Sequence, residues 1–344
     1  MHGCPQLGSF FKHEDSMNRF PKIAGLICAA IIGLLCSAPL SKADAPLRIG
    51  FSDWPGWTPW QIAIDKGWFK EAGVDVNLQW FDYSASLDAF SAGKLDGDFV
   101  ANGDGLAIGA SGAKNVMIML TDYSSGNDMI LAKPGITSIK QLAGQKIGIE
   151  VGLVEHLLLE HALQANGMAL SSVTLVNTVT NNTPQVLGSG AVAAIGVWQP
   201  IADQAMLQLP GSRPIYTSKL APGLIFDGLA VSPESLKARP EDWKKVIQVW
   251  YRVEAYLNDP ATHADALKIM AARDGVTPVI YKRYVAGTHL LSRAEALKAF
   301  EKSDALTSLY GSDKNADAFN VRNGVYKSPQ DISDYIDTSL MGAN

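Results

Sequence analysis

Ten side chains in this 344-residue sequence have the types and positions to hold a small ligand. Trp54 and Trp57 stand in "SDWPGWTP", directly after the apolar run "LRIGF". Asp82 and Tyr83 follow "LQWF", Asp104 follows "DGDFVA", and Asp122 follows "VMIML". Glu150 and Glu155 come just after "KIGI", Trp198 follows "AAIGV", and Asp227 opens "FDGLAV". The apolar runs read as strands, so these residues occupy strand ends, where ligands bind in open α/β sheets. The loops hold neither arginine nor lysine. An anion site would recruit a fixed cation or several free helix N-terminal amides. Carboxylates accept paired N–H bonds and tryptophan faces attract cations, so this set suits a small planar cation.

Several of these residues also have plainer roles open to them. Asp82 or Ser84 can cap the helix "SLDAFSAG", and Asp104 can cap "GLAIGA". Glu155 sits in the first turn of "VEHLLLEHAL", where a negative charge complements the helix dipole. Asp122 and Glu150 have no capping task in view. In "TPWQ", Thr58 reads as an N-cap, Pro59 as the first helical residue and Gln61 as the closing member of a capping box. That puts Trp60 on a helix and in the core, while Trp54 and Trp57 precede the cap. The string "HLLLEH" is not a zinc motif: His156 and His161 are five apart and diverge by about 140° around a helix. No nucleophile elbow, phosphate loop or dinucleotide fingerprint occurs, so neither a metal nor a cofactor is expected.

The elements that must position these residues form a weak internal repeat. "RIGF" (48–51) is matched by "KIGI" (146–149), and each is followed by a loop, a helix ending in glycine and a second apolar strand. "SLDAFSAGKLDGDFVAN" (86–102) is matched by "TPQVLGSGAVAAIGVWQ" (183–199) at nearly the same offset. Such a duplication predicts an α/β fold of two similar lobes, each a mainly parallel sheet flanked by helices. Residues 46–130 and 231–344 are expected in the first lobe and 131–230 in the second. The chain would cross near 128–136 and 226–236, and helical segments after about 233 would pack around the first lobe.

Ahead of the lobes, "NRFPK" is basic, "IAGLICAAIIGLLCSA" (23–38) has sixteen residues without a charge, and Ala43-Asp44-Ala45 is a small-x-small triplet. Residues 1–45 thus read as a secretion signal peptide, cleaved after Ala45, and the location as periplasmic. No small residue precedes Cys28 or Cys36, so no lipid anchor is expected. All three cysteines lie in this leader, leaving no thiol chemistry for the exported chain. A net charge of −5 with no basic stripe argues against a nucleic-acid partner.

The leader, the duplicated lobes and the strings "AIDKGWFKEAGVDV", "AGKLDGDFV", "SIKQLAGQKIGIEVG" and "AIGVWQP" resemble periplasmic solute-binding proteins of ABC importers. The resemblance is to the nitrate/sulfonate/taurine and thiamine-precursor family. "FSDWPGW", "WFDYSAS", "NGDG", "TDYSSGNDM" and "EVGLVEHLLL" look like the branch associated with urea carboxylase and guanidine uptake. That resemblance implies a type II clamp, monomeric, which closes on its ligand and docks on membrane permease subunits. Guanidine is the expected ligand. Urea, a thiamine pyrimidine precursor or an anion are alternatives, as is an enzyme akin to the pyrimidine-precursor synthases. Such an enzyme would need a lysine and a histidine in the cleft, and no cleft lysine is visible.

Overall fold

The computed structural model describes residues 45–342; the leader expectation, apart from Ala45, lies outside them. Eleven strands form two sheets: β1 (Leu47–Phe51), β2 (Val76–Trp80), β3 (Gly97–Ala101), β4 (Val116–Ser124), β5 (Met129–Ala132), β6 (Lys146–Ile149), β7 (Thr174–Asn177), β8 (Ala194–Val197), β9 (Arg213–Thr217), β10 (Phe226–Val231) and β11 (Thr288–Leu290). The first sheet runs β11-β4-β10-β3-β1-β2 and the second β7-β6-β8-β5-β9.

The duplication seen in the sequence is the symmetry of the sheets. β1, β2 and β3 correspond to β6, β7 and β8, and each trio is parallel. In the first sheet β10 lies antiparallel between β3 and β4; in the second, β5 lies antiparallel between β8 and β9. Both sheets are therefore mixed: four strands of each point one way, opposed by the inserted strand and, in the first sheet, by the edge strand β11 as well. The strand 226–231 belongs to the first sheet and Met129–Ala132 to the second. The chain consequently changes sheets at 125–128 and 218–225, a few residues before the expected points. The difference has a simple cause: the apolar crossing runs pair with the sheet they enter.

Burial on both faces explains the composition of the inserted strands, since β5 and β10 are buried throughout. Around the first sheet, the helix Pro240–Asn258 buries Trp243, Val246, Ile247, Trp250 and Val253 at helical spacing. Trp250 meets Trp60 at 5.0 Å between ring centroids, and Trp60 stacks on Phe69, so Trp60 is core as its helix position predicts. The helix Trp60–Lys66 ends where Gly67 takes a left-handed conformation (φ 71°) and its N–H returns to Ala63 and Ile64. The capping box expected at its start does not form. Pro59 occupies the cap position, Thr58 bonds to the Trp54 carbonyl and to Asp274, and Gln61 bonds to Asp65.

After residue 233 helices joined by loops predominate, and the one named strand among the described residues, β11, adds an edge strand beside β4. Several contacts join this tail to the second half, among them Phe319 edge-on against His156. Arg322 and Asn323 donate to the buried Glu160, and Arg283 and Tyr284 donate to Asp203, each at 2.9 Å. No helix among the described residues is long and apolar enough to cross a membrane.

Candidate functional site

The strand directions explain why acids gather at one edge. Parallel strands β1, β3 and β8 end there, and the antiparallel β5 and β10 begin there. The loop after β1 folds back at once: Trp57 and Thr58 N–H groups bond to the Trp54 carbonyl. Gly56 is obligatory in this turn, because a Cβ there would lie 2.1 Å from Asp122 Oδ2 and 2.5 Å from the Trp54 indole nitrogen. The gap it leaves lets Trp54 Nε1 donate to Asp122 Oδ1 at 2.9 Å. Gly196 does the same on the second sheet, where an added Cβ would meet Ile149 and the Glu155 Cβ within 2.9 Å.

A small cavity opens between the two halves, lined by Trp54, Trp57, Tyr83, Trp198, Asp128 and Asp227 with Ser52, Ala101, Val154 and Ile225. Tyr83 packs edge-on against Trp198 and at a tilt against Trp57. Trp198 reaches across the halves to donate to Asp53 Oδ1 at 3.1 Å. Five of the ten residues singled out from the sequence thus line one space.

Three more stand directly behind it. Asp122, besides holding Trp54, is the cross-strand partner of Asp227, an arrangement of like charges that is unfavourable in itself. Thr121 Oγ1 lies 2.8 Å from Asp122 Oδ2. Asp104 accepts from the Tyr83 hydroxyl at 2.8 Å, and that hydroxyl in turn accepts the Ala101 N–H. Asp104 occupies the first turn of the helix Asn102–Ala110 and does not cap it. Glu155 is buried beside Asp128.

Asp82 and Glu150 lie outside the lining. Asp82 is exposed, at the N-cap position of the helix Tyr83–Ser91 but making no side-chain cap; it accepts from Asn181 of the other half at 2.6 Å. Glu150 is half-buried and accepts from the Thr180 N–H and hydroxyl. Tyr123, next to Asp122, instead stacks on His289. Asp128 was not singled out from the sequence. It precedes β5 much as Asp227 opens β10, and the internal duplication is the signal that would have found it.

The electrostatics are one-sided. Asp104, Asp122, Asp128, Glu155 and Asp227 are all buried, and no lysine, arginine or histidine lines the cavity. Burial raises every one of these carboxyls: Asp128 to about 6, Asp104 to about 7, and Glu155 well above the usual range. In the Asp122–Asp227 pair, burial comes first and mutual repulsion adds to the rise of Asp227. Burial also lifts Asp53 to about 6, against the pull of the Trp198 indole. Trp57 Nε1 has no protein partner, and Asp128 Oδ2, Asp227 Oδ2 and both Glu155 oxygens meet no donor other than a neighbouring acid, Glu155 beside Asp128 and Asp227 beside Asp122. A buried polar atom without a partner costs roughly 1–3 kcal/mol, a cost that a ligand carrying hydrogen-bond donors would relieve.

A family model described as the NMT1-like family matches residues 41–271. A candidate binding protein of Brucella abortus is 28% identical over 218 residues, covering 62% of this chain and 67% of its own. Among solved structures, the alkanesulfonate-binding protein SsuA of Xanthomonas axonopodis, bound to MOPS, superposes with a TM-score of 0.71 at 16% identity. The match covers 86% of this chain and 99% of that one. The periplasmic nitrate-binding protein NrtA of Synechocystis gives 0.65 at 13% identity, covering 86% of each chain. These likenesses establish the two-lobed, type II periplasmic-binding-protein fold, and the match over most of the sequence means that the chain belongs to the NMT1-like family.

Proposed function

We propose that this protein is the periplasmic solute-binding component of an ABC importer, and that it captures a small planar cation, guanidinium above all, between its two lobes. The names of its relatives support the binding role. The cation rests on one observation: buried carboxyls with oxygens that meet no donor but a neighbouring acid face a tryptophan-walled cavity that no basic side chain lines. Guanidinium has poorly hydrated faces and hydrogen-bond donors around its whole edge. Tryptophan walls suit the faces and carboxylates suit the edge. Nitrate or a sulfonate would meet repulsion from every side.

The two sheets act as lobes that close on the ligand about the connections at 125–128 and 218–225, and the closed form docks on the permease as a monomer. Catalysis is not part of this reading, because the cavity offers neither the lysine nor the histidine that the synthase alternative needs. Calorimetric titration of the chain beginning at Pro46 tests it. Guanidinium should bind, urea more weakly for want of charge, and nitrate and taurine not at all. Binding of nitrate or taurine without guanidinium would overturn the proposal.

A further inference from the structure

A second, smaller chamber adjoins the first and shares Ala101, Val154 and Ile225 with it. Its remaining apolar walls include Leu157, from the helix Val154–Ala165, and Ala316 and Phe319, from the helix Leu309–Arg322. The polar groups at its edge are already engaged. Asn102 donates to Ser312 and Asp313 and accepts from the Phe226 N–H. Asn320 donates to the Gly103 carbonyl. Asp104, at the junction of the two chambers, accepts from the Tyr83 hydroxyl of the first chamber. The carboxylates therefore converge on the first chamber, while the second offers hydrocarbon.

From this asymmetry we infer that the site takes N-alkylated guanidines, with the guanidinium in the acidic chamber and a short apolar substituent in the chamber bounded by Leu157, Ala316 and Phe319. The inference rests on the cation reading above and narrows it to a substrate class. A second charge at the far end of the ligand is unsuited, because the one carboxylate bordering the second chamber is already engaged by the Tyr83 hydroxyl. An unsubstituted guanidinium leaves that chamber without a ligand contact.

The test is a calorimetric series on the chain from Pro46 with guanidine, methylguanidine and ethylguanidine. Each added carbon should tighten binding by about fourfold, the worth of one buried methylene. In Ala316→Leu, which fills the chamber, the preference for ethylguanidine over guanidine should vanish or reverse. Affinity that falls with each carbon in the natural protein overturns the inference and leaves guanidine capture standing. A preference untouched by Ala316→Leu overturns the assignment of the chamber. Binding of ethylguanidine without guanidine supports the chamber and removes unsubstituted guanidine as ligand. No binding by any of the three overturns both. If Ala316→Leu does not fold, the series on the natural protein still decides.

Discussion

Guanidinium affinity should rise with pH, and the size of the effect follows from the carboxyls around the cavity. In the empty protein Asp128 is raised to about 6 by burial, so at pH 5 it is mostly protonated. A cation favours the ionised form, and binding therefore expels the proton. The apparent dissociation constant carries a factor of 1 + 10^(6 − pH), about 11 at pH 5 and about 1.1 at pH 7, a tenfold tightening from this one group. Asp104, raised to about 7, adds in the same direction if its proton also leaves. The stability of the empty protein runs the other way. A folded-state carboxyl held above its unfolded value contributes stability that is complete below the unfolded value and is lost as pH rises through the folded one. For Asp128 that loss is about 3 kcal/mol at most, spread between roughly pH 4 and 7. The assay is calorimetry at pH 5, 6, 7 and 8 in buffers of different ionisation enthalpy, which counts released protons directly. Melting curves with and without millimolar guanidinium complete it. Affinity that is flat or falls with pH, or binding without proton release, would refute the reasoning that buried acids form the cation site.

Asp227→Asn should weaken guanidinium by more than tenfold yet raise the melting temperature of the empty protein at pH 8, because it removes repulsion from Asp122; calorimetry and melting curves report the two effects separately. Gly56→Ala should break the Trp54–Asp122 bond, lowering affinity and shifting tryptophan fluorescence, since its Cβ has no room. Arg322→Met should leave the buried Glu160 with Asn323 and Gln164 but without its cation in the closed form, favouring the open form and weakening ligand binding. Small-angle scattering of that variant should give a larger radius than the natural protein at the same ligand concentration. In the natural protein the radius should shrink on adding guanidinium, and an unchanged radius would speak for a rigid site.

Much of the fold was legible because the duplication is written in strand and glycine spacing: "RIGF" and "KIGI" head corresponding strands of the two sheets. The aromatic wall was legible too, since Trp54, Trp57 and Trp198 follow strands that visibly end. Local chemistry was less so. Thr58, Pro59 and Gln61 carry a capping signature, but Thr58 is drawn to Asp274, a partner 216 residues away that no local pattern announces. Asp82 and Glu150 follow strands as the others do, yet they point to neighbours at the rim. Asp128 lies just ahead of β5, whose antiparallel direction no local pattern announces. Pairing direction, a long-range property, decides which end of a strand faces the cleft.

The position of β10 bears on how the chain acquires its shape. Between residues 129 and 217 the second sheet has all its strands in one continuous stretch and can form as soon as that stretch is available. The first sheet cannot. β3 and β4 do not pair with each other but flank β10, which arrives more than a hundred residues after β4 begins. Until then both strands carry unpaired edges made of apolar residues, the kind that invite association with other chains. Long-range pairing of this sort is intrinsically slow, which favours early assembly of the second sheet. A chain halted before residue 226 therefore holds one finished sheet and one with a gap at its centre. The step that closes this gap also brings Asp227 opposite Asp122, so the acidic pocket comes into being only when the architecture is complete.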